Sequence, residues 1–376
     1  MFNKVLVLSA SAGAGHIRAA QALEKAFIEM GATKEIKHID TLEYTNKLFR
    51  NLYSKAYIDL VNAAPELLGW LYDHLDKPWK NERRRLAIDK LNTRPFVKML
   101  QDYQPDFVIS THFLPAEIIS WLKAKERLQT SQAIVVTDID IHAMWLCHHY
   151  EHYFVAIEET KMHMQKLGIP EDKISVTGIP IDPVFAKVED KFQARQQLGL
   201  RQDITTILIS AGGFGVGPIE HLISSLLQLQ RETQIVAICG KSQELKQKID
   251  QIAKQLPSEH KVVLKVVGFT KEMDRYMSAS DILVGKPGGL TTSEALAKGL
   301  VLVIVNPIPG QEERNSDHYL EEGVAIRCNN LPTLAYKIDK LLDDATRFNT
   351  MKENVRKFAR PKAAYDIVSK LLELKK

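Results

Sequence analysis

The sequence predicts an α/β fold made of two doubly wound, Rossmann-like domains that face each other across a cleft. In both halves of the chain, short apolar runs typical of buried parallel strands alternate with segments of helical period. Several strands run into glycine turns that open helices, and residues 178–183 break all periodicity between the halves. We therefore expect domains at residues 1–185 and 186–360, and a C-terminal helix at 361–376 that packs back on the first domain.

The first half opens with a strand at 4–8, a loop of small residues at 9–15, a helix at 16–30 and a second strand at 35–39. After a segment without strand pattern, the alternation of strand and helix resumes. Further strands are predicted at 107–110, 133–136, 155 and 174–176, and helices from 115 onward and at 158–167.

The second half repeats this organisation without repeating the sequence. Strands are predicted at 206–210, 234–240, 263–267, 281–284 and 301–305. Helices are predicted at 219–229, 242–255, 273–277, from 290 onward, and at 331–342, 348–358 and 363–374.

Composition favours a globular protein of the reducing cytoplasm. The 376 residues are 45% hydrophobic and 26% charged, and a net charge of +4 is too small to argue for a nucleic-acid partner. Cys147, Cys239 and Cys328 are too widely spaced for a disulfide framework or a zinc site. The first apolar run is too short for a signal peptide, and no segment approaches the roughly 18 apolar residues of a membrane span.

The turn that begins at Gly288 is the strongest indication of a ligand site. A strand, two glycines and a helix start place free N–H groups and the positive end of a helix dipole at one point, where anions bind. Thr291, Thr292 and Ser293 offer hydroxyl donors, and Glu294 lies within reach of a ribose diol if a nucleotide diphosphate occupies the turn. An ordinary turn between strand and helix remains the alternative.

Two other motifs of the first half are weaker. Residues 13–18 resemble a dinucleotide fingerprint, but Arg18 stands where the third glycine belongs, which disfavours NAD. Asp138, Asp140 and His142 could form a metal site of the Asp-x-Asp type. We favour the alternative that Asp138 and His142 order a loop at the carboxyl ends of the strands.

Residues 43–103 combine aromatic and aliphatic side chains with positive charge. Trp79 and the run Arg83, Arg84 and Arg85 lie in the stretch 77–98, which has eight basic residues against two acidic ones. This combination suits an anionic bilayer surface. Two core-packed helices with a solvated basic face are the alternative.

Seven motifs, taken in order, carry a resemblance to a known family. They lie at residues 9–16, 136–138 with His142 and Trp145, 176–181, 212–215, 268–270, 286–291 and 309–312. With them the chain resembles the nucleotide-sugar glycosyltransferases of the GT-B fold, and more narrowly the monogalactosyldiacylglycerol synthase and diacylglycerol glucosyltransferase family. The lipid-carrier N-acetylglucosaminyltransferase of cell-wall synthesis is less similar, chiefly in the motifs of the first half.

The resemblance implies an inverting transfer of a hexose from UDP-galactose or UDP-glucose to diacylglycerol, on the inner face of the cell membrane. It implies His16 as the general base, with Asp138 either orienting it or carrying the proton itself. No cofactor or metal is expected, because the helix start and cationic side chains would stabilise the departing UDP. The partners implied are UDP-hexose, diacylglycerol and anionic membrane lipids, without nucleic acid.

The resemblance also assigns the remaining site residues. The implied donor residues are Gly212, Gly213, Phe214, Gly215, Gly268, Phe269, Thr270, Gly288, Gly289, Leu290, Thr291, Glu294, Gln311 and Glu312. The residues expected at the acceptor or the membrane are Gly13, Ala14, Gly15, His142, Trp145, Trp79, Arg83, Arg84 and Arg85. Phe269 and Thr270 would lie against the uracil, Glu294 would hold the ribose, and Gln311 and Glu312 the hexose.

Three alternatives stay open on the sequence alone. The acceptor could be another lipid or a polyprenyl carrier, or the chain could be a regulatory protein that binds a sugar nucleotide without turnover. An NAD-dependent dehydrogenase is the third alternative. The sequence leaves open the choice of glucose or galactose, the addition of a second sugar, and the oligomeric state.

Overall fold

A computed structural model describes residues 1–11, 13–45, 64–79, 94–210 and 219–375. Within these ranges the chain forms two six-stranded sheets in which every pairing is parallel, with helices around them. The predicted α/β fold with two doubly wound sheets is confirmed.

The first sheet has the strand order β2-β1-β3-β4-β5-β6. Its strands are β1 (Phe2–Ser9), β2 (Thr33–Asp40), β3 (Phe107–Ser110), β4 (Ser131–Val135), β5 (His152–Val155) and β6 (Ile174–Val176). Its helices are α1 (Ala14–Glu29), α2 (Pro65–Leu75), α3 (Arg94–Tyr103), α4 (Phe113–Ala124) and α5 (Glu158–Lys166). A short 3₁₀ helix at Ala143–Trp145 follows the loop after β4.

The second sheet has the order β12-β11-β10-β7-β8-β9. Its strands are β7 (Thr205–Ser210), β8 (Thr233–Ile238), β9 (Val262–Val267), β10 (Ile282–Gly285), β11 (Val301–Val305) and β12 (Ala325–Cys328). The helices that follow β6 are α6 (Lys191–Gln197), α7 (Ile219–Leu226), α8 (Gln243–Gln255), α9 (Met273–Ala279), α10 (Gly289–Ala297), α11 (Gln311–Glu321), α12 (Leu334–Asp343), α13 (Ala345–Phe358) and α14 (Ala363–Leu374).

Burial explains why these segments are strands. The central strands β1, β4, β10 and β11 consist largely of aliphatic side chains that are fully buried, as expected when helices cover both faces of a parallel sheet. Their carboxyl ends point toward the other half of the molecule. The glycine turns after β1 and β10 therefore meet between the two sheets.

The last helix returns to the first half. Ala364, Ile367, Val368 and Leu371 of α14 share one buried cluster with residues of β1 and α1. The chain thus passes between the halves twice, once after β6 and once before α14, and these two passages lie next to each other. Gly178 has a φ of +88°, and a Cβ added there would stand 2.5 Å from the Cβ of Arg360.

Several elements differ from the sequence-based expectation, among them helices α6 and α11, which were not predicted. Strand β12 was not predicted, because its four residues include Arg327 and lack the apolar run of the other strands. Helix α13 begins at Ala345 rather than 348, since the Asp344 side chain accepts a hydrogen bond from the Arg347 N–H and caps the helix. Among the described residues, no helix is both long and apolar enough to cross a bilayer.

Candidate active site between the two sheets

His16 lies at the start of α1, where the sequence placed the general base. It is the third residue of a helix whose N-cap, Gly13, has no side-chain hydrogen bond to the helix. Its Nδ1 lies 2.8 Å from the Thr137 hydroxyl and 3.1 Å from the Thr111 carbonyl oxygen. Because a carbonyl oxygen only accepts, Nδ1 carries the proton and Nε2 is left as the proton acceptor.

Burial keeps this imidazole neutral. Desolvation lowers the pKa of His16 below its ordinary value, while the charge of Asp138 and the bond to Thr111 oppose the shift without reversing it. The ring of His112 packs edge-on against it at 4.6 Å. A neutral histidine at neutral pH is the protonation state that a general base needs.

Asp138 follows β4 and is buried beside His16. Its Oδ2 accepts a hydrogen bond from the Trp145 indole N–H at 3.1 Å, and its Oδ1 accepts one from the Gln311 amide of the other half. Burial raises the pKa of the carboxyl, and His16, Trp145 and Gln311 oppose that shift. In the described structure the bonds that orient His16 come from Thr137 and Thr111, and none comes from Asp138.

Two residues expected at the acceptor or the membrane are buried instead. Trp145 is 1% exposed and packs near His16 and Phe113. His142 is also 1% exposed; its Nδ1 accepts from the Met144 N–H, so its Nε2 donates to the Tyr72 carbonyl at 2.9 Å. Both side chains face the protein interior, so the expectation that they contact a membrane is wrong, while a contact with the acceptor stays a prediction.

Asp138 and Asp140, the two carboxylates of the Asp-x-Asp alternative, do not face a common position for a metal ion. Asp138 turns to Trp145 and Gln311, whereas Asp140 turns toward Arg314 and His163. Within the described ranges, the one group of three acidic, histidine or cysteine ligand atoms close enough for an ion is Glu159, His318 and Glu321.

The start of α10 has the features predicted for an anion site. Gly288 is its N-cap and supplies no side-chain bond. No described residue accepts a hydrogen bond from the N–H groups of Gly289, Leu290 or Thr291. The expectation that Thr292 and Ser293 offer hydroxyls to a ligand is wrong, because both hydroxyls donate to carbonyls one turn back in their own helix.

Glu294 lies one turn further along α10 and is paired across the cleft. Its Oε1 accepts a hydrogen bond from Arg18 of α1, two residues after His16. Its Oε2 is buried and has no hydrogen-bond partner among the described residues. Burial raises the pKa of Glu294 to about 7, with Arg18 acting in the opposite direction. Oε2 is therefore a buried acceptor that no described residue uses.

The two helix starts are in contact. A Cβ on Gly15 would lie 3.8 Å from the Cβ of Leu290, and a Cβ on Gly289 would lie only 2.7 Å from the Thr137 carbonyl oxygen. Asn315 of α11 is buried and joins the same two surfaces: it donates to the Pro287 carbonyl at 3.0 Å and accepts from the Ile139 N–H at 3.2 Å. Sequence reasoning missed this role of Asn315.

The loop after β11 brings Gln311 and Glu312 to the same cleft. Gly310, with a φ of +87°, turns the chain into α11. Glu312 accepts a hydrogen bond from the Ile308 N–H at 2.7 Å, and burial raises its pKa. A Cβ on Gly288 would lie 3.7 Å from a Glu312 oxygen, so the predicted hexose residues border the predicted phosphate turn.

The predicted uracil residues lie after β9. The Phe269 side chain is 60% exposed, and the Lys241 ammonium lies 5.7 Å from its ring centre. The Thr270 hydroxyl accepts from the Glu272 N–H at 3.0 Å. A Cβ added to Gly268 would meet only the Lys246 side chain, at 3.5 Å. An exposed ring held at a loop can stack on a base.

Gly13 is the N-cap of α1, and Ala14 and Gly15 are its first two residues, so the helix begins two residues earlier than predicted. Their contact with an acceptor stays a prediction. Trp79 is 39% exposed and stacks on His148. The remaining predicted residues lie outside the described ranges: Gly212, Gly213, Phe214, Gly215, Arg83, Arg84 and Arg85.

Comparison with known proteins places this geometry in context. Residues 16–181 match the family model described as monogalactosyldiacylglycerol (MGDG) synthase, and residues 190–358 match the one described as glycosyl transferases group 1. The processive diacylglycerol beta-glucosyltransferase of Staphylococcus saprophyticus is 30% identical, over 99% of this chain and 93% of that protein. The enzyme of the same name from Bacillus pumilus is 27% identical, over 99% and 95%.

A solved structure shows the same fold. MurG of Acinetobacter baumannii matches 99% of this chain and 99% of its own with a TM-score of 0.64, at 15% sequence identity. The GT-B fold predicted from the sequence is confirmed by this likeness.

Proposed function

The chain belongs to the family of monogalactosyldiacylglycerol synthases and diacylglycerol glucosyltransferases, and from this premise we propose that it transfers a hexose from a UDP-sugar to diacylglycerol with inversion. One observation carries the proposal. The uncapped start of α10 and the neutral imidazole of His16 lie on opposite sides of one cleft, in contact through Gly15 and Leu290. An anionic leaving group and a base for the acceptor are thus held together.

The donor is proposed to lie along the second half. Its diphosphate accepts hydrogen bonds from the N–H groups of Gly289, Leu290 and Thr291 at the positive end of α10. The uracil stacks on Phe269, and a ribose hydroxyl donates to the free oxygen of Glu294. Gln311 and Glu312 meet the hexose at the other end of the turn.

His16 is proposed to activate the acceptor. Its Nε2 takes the proton of the diacylglycerol hydroxyl as that oxygen attacks the anomeric carbon. The bond from this carbon to the β-phosphate oxygen breaks on the opposite face, and UDP leaves with the electron pair. The α10 dipole and its N–H groups stabilise the charge that develops on UDP. Asp138 orders the loop between His16 and the start of α10.

The donor sugar is proposed to be glucose. The full-length relatives are named for beta-glucosyl transfer, whereas the family model of the first half is named for galactosyl transfer. The two hexoses differ in one hydroxyl, so a competition between UDP-glucose and UDP-galactose decides the point.

The acceptor requires a position at a bilayer surface, and α2 supplies an apolar face for it. Leu67, Trp70 and Leu71 lie on one side of this helix, with Leu67 53% and Trp70 60% exposed. We therefore propose peripheral attachment through α2, assisted by Trp79 and by the basic run Arg83–Arg85.

An incubation of the protein with labelled UDP-glucose or UDP-galactose tests the activity. The mixture also contains vesicles with diacylglycerol. We expect a labelled monoglycosyl lipid. Donor binding without any labelled product would instead favour a regulatory protein. Product formed only when a polyprenyl phosphate is added would favour a carrier-lipid acceptor.

Sedimentation with vesicles of phosphatidylglycerol tests the attachment. Changing Trp70→Ser together with Leu71→Ser, or Arg83–Arg85 to Gln, should reduce the bound fraction several-fold. Phe192→Ser, which removes a 59% exposed ring of the second half, is the matched control and should leave it unchanged. Equal binding of all variants would refute this surface.

A further inference from the structure

Helix α2 has a second face that contacts the other half of the molecule. Gly69, Tyr72, Asp73 and Asp76 lie on the side opposite to Trp70 and face the loop after β11. A Cβ added to Gly69 would stand 2.8 Å from the Cβ of Pro309. The helix therefore touches the loop that leads into Gln311 without a gap.

The Tyr72 ring fills the space beside Gly310. A Cβ on Gly310 would stand 2.9 Å from Tyr72 Cδ1, and the positive φ of Gly310 also favours glycine there. The Arg314 guanidinium lies 5.2 Å from the centre of the same ring. The turn before α11 is thus shaped by a side chain from the first half.

Arg314 adds ion pairs to the contact between α2 and the second half. Its Nη1 donates to Asp76 at 2.8 Å, and its Nη2 donates to Asp73 at 3.2 Å. Asp76 in turn accepts from the Ala143 N–H at 2.8 Å, in the loop that follows Asp138. Burial would raise the pKa of Asp76, but the bonds from Ala143 and Arg314 outweigh burial and lower it. The pair is therefore ionised at neutral pH.

Arg314 and Gln311 stand three residues apart in the first turns of α11, on one side of the helix. A contact that fixes Arg314 also fixes where the Gln311 amide can reach. No hydrogen bond or ion pair of the described residues joins α2 to the residues proposed for the uridine diphosphate: Gly289, Leu290, Thr291 and Phe269.

We propose that Arg314 and Asp76 are positioning residues for the hexose of the donor. Asp76 holds Arg314, and with it the sugar end of the site, from the first half. Within the described ranges, no hydrogen bond or ion pair joins α2 to the uridine diphosphate end. The proposal rests on the UDP-sugar site proposed above. It predicts that breaking the pair weakens recognition of the sugar and spares recognition of the nucleotide.

Calorimetric titration of the full chain with UDP and with UDP-glucose measures the two ends separately and needs no turnover. Arg314→Met should weaken UDP-glucose binding by on the order of tenfold, the scale of one lost charge-assisted hydrogen bond, with UDP binding within about twofold of wild type. Asp76→Asn should have the same effect, and Arg314→Lys a smaller one. The double variant should be no weaker than either single variant, since the two residues act as a pair.

Arg327→Met is the matched control, because Arg327 pairs with Glu313 and Asp317 inside its own half. It should leave both affinities unchanged. Equal weakening of UDP and UDP-glucose, additive effects of Arg314→Met and Asp76→Asn, or no change would each overturn the positioning role. Failure of the wild-type protein to bind either nucleotide would instead refute the UDP-sugar site itself.

Discussion

The starts of α1 and α10 have the same local construction and different chemistry. Each follows a buried parallel strand and begins after a glycine N-cap in an extended conformation, and neither is capped by a side chain. Their second residues, Gly15 and Leu290, touch across the cleft. The third residue is where they differ: His16 in α1 and Thr291 in α10.

The third residue decides what each helix start binds. At the start of α10 no described residue accepts from the first N–H groups, so the positive end of the dipole is open to an anion. At α1 an imidazole fills the equivalent position and is anchored through Nδ1 to the first sheet. The positive end of a helix also opposes protonation of that ring, so one backbone arrangement favours an anion in one place and a neutral base in the other.

Removing the imidazole should have the largest effect on this difference. His16→Ala is expected to lower kcat about 10²–10⁴-fold, the usual contribution of a general base, while UDP affinity stays the same. Initial rates with UDP-glucose and titration with UDP measure the two quantities. His163→Ala, which removes a half-exposed imidazole of α5, is the control. Turnover retained in His16→Ala would remove this residue as the base.

Adding a methyl group at the start of α10 should have the second-largest effect on activity. Gly289→Ala places a Cβ 2.7 Å from the Thr137 carbonyl and 2.9 Å from Ile179, so the halves must separate. Overpacking of this kind costs about 1–3 kcal/mol, and if all of it falls on the transition state the loss of kcat/KM is roughly 5–150-fold. Gly285→Ala has no atom within 4 Å of its new Cβ and is the control. Equal activity of both variants would show that the two starts need not touch.

The ion pair that links the two helices should give the smallest effect. The Glu294 carboxyl, with a pKa of about 7, loses its charge as pH falls, so the KM for UDP-glucose should rise through that pH. In Arg18→Met the pKa rises further, and this increase should begin at higher pH. At pH 7 we expect Arg18→Met to raise the KM for UDP-glucose only about threefold. The effect is small because the Arg18 side chain is 41% exposed and its charge is screened by solvent.

The measurement is KM against pH between about pH 6 and 9, where the diesters of UDP-glucose do not titrate. Lys25→Met, which breaks the pair of α1 with Asp182, is the control. A profile identical to wild type would disconnect Arg18 from the donor site.

The sequence predicted what depends on local pattern. Apolar runs and glycine turns gave most strands, both helix starts and the position of His16, because these follow from residues adjacent in the chain. The contacts made across the cleft could not be predicted. The Arg18–Glu294 pair joins residues 276 positions apart, and Asn315 joins Ile139 to Pro287.

Some side-chain orientations also depend on packing that a pattern does not contain. From the sequence, Trp145 was expected at the acceptor or the membrane. In the structure its indole N–H donates to the buried Asp138 instead. The Thr292 hydroxyl is bonded within the protein, to carbonyls of its own helix and to the Tyr319 hydroxyl.

The contact of Gly178 with Arg360 has a mechanical consequence. The polypeptide passes between the halves at two points that lie side by side, so they act as one pivot rather than as a single loose tether. We therefore expect any opening of the cleft to be a rotation about this point, which would return His16 to the same place opposite Gly288.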